Sequence, residues 1–99
     1  MEIEESTACL SIQRALLDKV TPNLRMVAYA VRKNIIYVNF FYNKQPTELE
    51  EELAQDAGAE IIADFPSSFT INVNVSTVTY PEKILPIDRV LYSRYEENL

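Results

Sequence analysis

The chain has no histidine, no tryptophan, one glycine and one cysteine among its 99 residues. Each scarcity closes a class of chemistry. Without histidine, acid–base catalysis loses its usual agent near neutral pH, and zinc or iron loses a common nitrogen ligand. Cys9 stands alone, so no intrachain disulfide can form, and a reducing cytoplasm is the expected setting. A single glycine, Gly58, cannot build a glycine-rich phosphate loop. No apolar run nears the roughly 20 residues of a membrane span. The acidic start, MEIEES, is unlike the basic head of a signal peptide and argues against export.

The most telling scarcity is local. Residues 47–64, TELEEELAQDAGAEIIAD, contain no Lys or Arg but hold seven carboxylates. The segment before them is net +2 and the one after is net −1, so the overall −6 comes from one helix-sized acidic block. Such a field attracts basic partners and repels nucleic acid and anionic membranes.

With 47% hydrophobic and 24% charged residues, residues 1–99 read as a single globular α+β domain. Ser6 or Thr7 is positioned to cap a first helix, with Cys9, Ile12, Leu16, Leu17 and Val20 on one side and Pro22 as its stop. Residues 24–32 and 35–42 are rich in β-branched and aromatic side chains. Only Lys33 and Asn34 separate them, which predicts an antiparallel hairpin of undetermined turn type. Thr47 and Glu50 form a capping-box pattern opening a second helix. Leu49, Leu53, Ala57, Ile61 and Phe65 recur every fourth residue along it, joined by Ala54 and Ile62, a stripe that must pack on a sheet or another helix, and Pro66 stops the helix.

Residues 69–75 alternate, with Phe69, Ile71, Val73 and Val75 inward and Thr70, Asn72 and Asn74 outward. The parity slips at Val78, which suggests a bulge near Ser76 and Thr77. Pro81 and Pro86 bracket a connection, residues 89–95 read as a last strand, and residues 96–99 as a frayed tail. The expected architecture is two-layered, in the order αββαββ. Its antiparallel, meandering four-stranded sheet carries both helices on one face.

The acidic helix is the first candidate site. Glu52, Asp56, Glu60 and Asp64 follow an i, i+4 ridge, and Glu48 and Glu51 add charge outside it. A solvated face is the bland reading of any charge run. Like charges at this spacing destabilise a helix by roughly 0.2–0.5 kcal/mol per pair, and no cation within the helix offsets them. The block therefore weighs toward a surface that occupies a basic groove. Tyrosines are the second candidate. Tyr29 and Tyr37 sit mid-strand in the hairpin, and Tyr92 and Tyr95 in the last strand. They serve either as interface anchors on an open sheet face or as cross-strand packing.

Other chemistries find less support. A straight helix offers too few converging oxygens for calcium, so no metal or other cofactor is expected. Glycoside hydrolysis needs facing acids from different elements, whereas these acids share one surface. Cys9 lacks a histidine partner and reads as a small buried hydrophobe. Arg25, Arg32, Lys33 and Lys44 form a modest basic group, but the neighbouring −7 block argues against nucleic-acid binding. Gly58 inside a helix reads as close helix-to-sheet packing.

Four segments recur together in order: TPNLR (21–25), NFFYN (39–43), IIADFP (61–66) and TYP (79–81). So arranged, the chain resembles small acidic bacterial immunity proteins of the contact-dependent growth inhibition and colicin type. The resemblance spans residues 6–95, and its motifs are mainly structural. It implies a cytoplasmic, non-catalytic, antitoxin-like protein that binds a toxin domain stoichiometrically, often a basic nuclease. It transfers no binding residue, and Lys33-Asn34 departs from the glycine-containing pair expected at the hairpin turn. The alternative is an adaptor or self-associating domain, a homodimer included, that uses an open sheet face or edge. An enzyme working with carboxylates alone comes third.

Overall fold

A computed structural model of the chain describes residues 2–85 and 88–96. The elements are α1 (Glu2–Ala15), β1 (Leu24–Arg32), β2 (Ile35–Tyr42), α2 (Glu48–Ile62), β3 (Thr70–Thr77) and β4 (Arg89–Ser93). Both helices pack on one face of a four-stranded sheet. They share a core with Leu24, Val27, Tyr29, Ile36, Val38, Phe40 and Tyr42.

The sheet is mixed, which corrects the antiparallel expectation. Its spatial order is β3-β2-β1-β4, not the sequential order of a meander. β1 pairs antiparallel with β2 and with β4, but β2 pairs with β3 in parallel. The reason lies between β2 and β3. A helix there carries the chain back along the sheet, so the next strand starts at the same end as the last.

Lys33 and Asn34 make the two-residue hairpin turn with φ of 52° and 66°. Positive φ at both central residues is what a type I′ turn requires, so this pair supplies without glycine the twist that the flanking strands need. The suspected bulge at Ser76 and Thr77 is absent, because β3 stays in register with β2 from Thr70 through Thr77. Register shifts fall instead in β1, between Leu24 and Met26 and between Val27 and Ala28. The alternation within β3 holds: Ile71, Val73 and Val75 pack against the core, and Thr70, Asn72 and Asn74 are exposed.

Both helix stripes differ in detail from the expected ones. α1 begins at Glu2, so Ser6 and Thr7 lie inside it and do not cap it. It ends at Ala15 rather than at Pro22, and Asp18 (φ 61°) turns the chain. Ala8, Ser11, Ile12, Ala15 and Leu16 are buried, while Leu17 and Val20 are exposed. Cys9 is half-buried against the core.

On α2 the buried residues are Glu50, Ala54, Ala57, Gly58 and Ile61. Leu49 is 61% exposed. An every-fourth repeat drifts about 40° per step on a 3.6-residue turn, so three steps carry Leu49 about 120° from Ile61. Gly58 lies against β3, where a Cβ would meet Val73 Cγ2 at 2.6 Å. That is the close packing its sequence position suggested.

Residues 78–85 leave the end of β3, and Val78 and Tyr80 lie against Arg25. Asp88, just before β4, accepts from Asn39 Nδ2 (3.1 Å) and Arg32 Nη2 (3.1 Å). Pro86 lies outside the described residues. Glu96, expected in a frayed tail, is held by Arg25, and residues 97–99 are outside the description.

Candidate functional site

The site is built on the outward side of α2, and its geometry starts with the cap. Thr47 Oγ1 accepts from Glu50 N (3.1 Å), and Glu50 Oε1 accepts from Thr47 N (3.0 Å), closing the capping box. Glu50 then turns inward. Its carboxylate accepts from Thr21 Oγ1 (2.6 Å) and Asn23 Nδ2 (3.1 Å), and it is 7% exposed. Burial pushes its pKa up, but hydrogen bonds from Thr21, Thr47 and Asn23 outweigh burial and leave it below the usual Glu value. Tyr42, buried nearby, has its phenol pushed up to about 12, first by burial and then by Glu50 and Glu51.

The C-terminal end of the acidic block is also committed. Asp64 Oδ2 accepts from Ser11 Oγ (2.6 Å) and Arg14 Nη2 (2.8 Å). Those contacts, the Ser11 bond foremost, hold its carboxyl below the usual range. Glu60 accepts from Lys19 Nζ (2.8 Å), which raises the Lys19 amine above its ordinary value against the opposing effect of burial. The counter-charges absent from α2 thus come from α1 and the turn after it. Glu60 and Asp64, predicted as partner-binding residues, fasten the C-terminal end of α2 and the turn after it to α1 and the turn that follows α1.

Glu48, Glu51, Glu52 and Asp56 remain. All four are exposed, and none forms an ion pair among the described residues. At 100° per residue, Leu49 stands on the side of α2 that carries Glu52 and Asp56, so an exposed apolar side chain sits within the acidic ridge. The every-fourth repeat places Leu49 in the packed stripe, but it is exposed. The 40° drift of a strict i+4 repeat was the signal that placed it outside.

The predicted tyrosine pair separates. Tyr29 is 5% exposed in the core under the helices, so it is no surface anchor. Tyr37 is half-buried on the other face, with the Arg32 guanidinium 5.5 Å from its ring centroid. That face carries a polar row: Asn74 Nδ2 donates to Asn39 Oδ1 (3.1 Å), and Asn39 and Arg32 both donate to Asp88. It is not an open apolar surface. Tyr92 is half-buried against the core and Tyr95 is 84% exposed.

The modest basic group also dissolves. Arg25 is buried and gives Glu96 a two-pronged ion pair (Nε to Oε2 2.6 Å, Nη2 to Oε1 2.9 Å). Its Nη1 donates to Val78 O (2.6 Å), and the guanidinium lies 5.7 Å from the Tyr80 ring centroid. This clamp joins β1, the segment after β3 and the C-terminal end, and sequence reasoning missed it because its partners are 71 residues apart. Arg32 is taken by Asp88 and Tyr37.

Three of the four recurring segments meet here. Asn23 binds Asn43 and Lys44, Asn43 Oδ1 accepts from Tyr80 N (2.6 Å), and Tyr80 lies under Arg25. The fourth supplies Asp64 and the Phe65 ring, which packs on Phe69. These motif residues hold the scaffold that presents α2.

Two clefts hold a carboxylate each. One of about 210 Å³ lies beside Arg25 and holds Glu96 as its carboxylate. Another of about 380 Å³ lies beside the α2 N-terminus and holds Glu50. Both carboxylates are already bound by their own neighbours. Among the described residues, no group of three or more His, Cys, Asp or Glu is placed to hold a metal ion, and no helix is long and apolar enough to cross a membrane.

Comparison with curated proteins gives no match. Comparison with protein families matches residues 5–96 to the family described as MafI2 immunity protein. That match covers all six elements except the first residues of α1. The chain belongs to the MafI2 immunity protein family.

Proposed function

We propose that this protein neutralises a toxin domain by direct, stoichiometric binding in the cytoplasm, without catalysis of its own. The outward side of α2 is the surface we assign to that contact. The observation that carries the reading is the unpaired set Glu48, Glu51, Glu52 and Asp56, exposed while Glu50, Glu60 and Asp64 are internally bound, with Leu49 exposed beside Glu52 and Asp56. A rigid, capped helix displays these charges, so little ordering cost is left for binding. The field they make favours a basic toxin surface. A nuclease fits this reading, because its substrate groove must bind phosphate and a carboxylate ridge can occupy it. Charge would then speed encounter, and desolvated anchors such as Leu49 would supply slow dissociation.

The test begins with capture. The tagged protein is exposed to lysate of its source organism at low and high salt, and the retained proteins are identified. A toxin domain recovered at one-to-one stoichiometry, with growth restored when both are expressed together, supports the reading. A partner held equally by the Leu49→Ser variant and the Glu52→Gln/Asp56→Asn variant would move the interface off α2. Retention of a metabolic complex without any toxin would end the immunity reading for this chain.

A further inference from the structure

The two edges of the sheet are protected unequally. β4 is short, is paired to β1 through a register shift, and starts with Arg89. β3 is an eight-residue strand, TINVNVST, with no charge, no proline and no bulge, and no strand pairs with its outer side among the described residues. Soluble proteins usually blunt such an edge with lysine, proline or a bulge, because its open amides and carbonyls template another strand.

The hydrogen-bond phase shows what the edge offers. Thr70 N donates to Asn34 O (3.0 Å), and Val78 N donates to Tyr42 O (2.8 Å). Even-numbered residues therefore face β2. Ile71, Val73, Val75 and Thr77 turn their backbone groups outward. About Val73 the strand is nearly palindromic: Asn72 and Asn74 flank it, then Ile71 and Val75, then Thr70 and Ser76.

We infer that β3 pairs with β3 of a second copy of this chain, antiparallel, about a two-fold axis at Val73. In that register Val73 faces Val73 of the second copy, and Ile71 faces its Val75, all as hydrogen-bonded pairs on the helix side. Asn72 faces Asn74 of the second copy at the closely spaced positions on the other side. No like charges oppose one another along the strand. Asn74 already donates to Asn39 Oδ1 (3.1 Å), which leaves its own side-chain oxygen to accept from Asn72 of the second copy. The layers are commensurate too. Four strands at about 4.8 Å spacing and two helices at about 10 Å have nearly equal width. The doubled sheet therefore has the width for four helices, and α2 of each copy, seated on β3 through Gly58 and Val73, comes to lie beside the axis. Glu52 and Asp56, on the side of α2 turned from the sheet, stay clear of the new interface.

Sedimentation across a wide concentration range tests this, with three proteins compared. The wild type is expected to rise from 11.4 kDa toward twice that mass. Asn72→Lys/Asn74→Lys sets lysine against lysine at both asparagine crossings and should stay at 11.4 kDa throughout. Asn72→Lys/Asn74→Asp sets lysine against aspartate at both crossings and should dimerise at least as tightly as wild type. Far-ultraviolet circular dichroism and melting curves establish that all three are folded. A wild type that stays monomeric overturns the proposal, as does a double-lysine variant that dimerises unchanged. Loss of the dimer in the mixed-charge variant would overturn the Val73 axis and the proposal with it.

Discussion

The acidic block of α2 and the turn after it carries two sets of carboxylates that differ in direction. Glu50, Glu60 and Asp64 point toward the rest of the chain and are met by Thr21, Asn23, Lys19, Ser11 and Arg14. Glu48, Glu51, Glu52 and Asp56 point away and meet no cation among the described residues. The first set fastens the helix to the scaffold, and the second gives it an external field. The comparison teaches that charge density along a sequence overstates a binding surface. About half of this block is spent on folding, and only the remainder is available to a partner.

The sharpest way to separate the sets is to remove Glu50. Glu50→Ala deletes the acceptor of Thr21 Oγ1, Asn23 Nδ2 and Thr47 N together. The expected loss is about 2–4 kcal/mol, from the broken cap and the hydrogen bonds to a charged group. Urea unfolding with an unchanged m-value would measure it. Glu48→Ala, two residues away on the opposite side of the helix, should leave stability nearly unchanged.

Acid should act through three carboxylates held by their neighbours. Glu50, Glu96 and Asp64 are all held below their ordinary pKa values in the folded state, Glu96 chiefly by Arg25. Folding therefore favours their charged forms. The stability they add is full above the unfolded values of about 4.3 for Glu and 3.9 for Asp, and is lost as pH falls through the depressed folded values. Tm should be nearly flat from neutral pH to about 5 and fall below that. Glu50→Gln should start lower and converge with wild type in acid. Parallel curves would show that Glu50 is not the group responsible.

The inward side also has a steric limit at Gly58. Alanine would improve helix propensity by about 1 kcal/mol, but its Cβ would meet Val73 Cγ2 at 2.6 Å. A β-branched methyl under a helix cannot swing away, so Gly58→Ala should cost about 1–2 kcal/mol net. Combining it with Val73→Ala should recover part of that loss. Additive losses in the double variant would show that the two sites do not touch.

What could be read from the sequence was local. The hairpin, the capping box and the inward alternation of Ile71, Val73 and Val75 each depend on neighbours a few residues apart, and each is present. What could not be read depends on distant partners. The parallel β2–β3 pairing, the Arg25–Glu96 clamp and the Lys19–Glu60 bond join segments that no spacing rule connects. Tyr29 shows the same limit, because strand parity places it opposite Ala28 and Ala30 but does not say which side the helices will cover. The strand–helix–strand order around α2 was the available clue to a parallel pair. The candidate site was half legible: its charge was plain, but which carboxylates α1 would neutralise was not.

The smallest effect on stability belongs to the outward set, and it is the one that bears on function. Glu52→Gln/Asp56→Asn removes i, i+4 repulsions and touches no internal partner, so Tm should rise by about 1–3 °C. Glu60→Gln/Asp64→Asn removes the same formal charge but loses the contacts to Lys19, Ser11 and Arg14, so Tm should fall. Against a captured toxin domain, the outward pair should slow association by about threefold to tenfold at low salt and flatten its salt dependence. The inward pair should do so less, because its carboxylates lie farther from a partner docked on the outward side and Coulomb attraction falls with distance. Equal slowing by both variants would mean that the partner senses only net charge. Slowing by the outward pair alone would mean that it meets this side of α2.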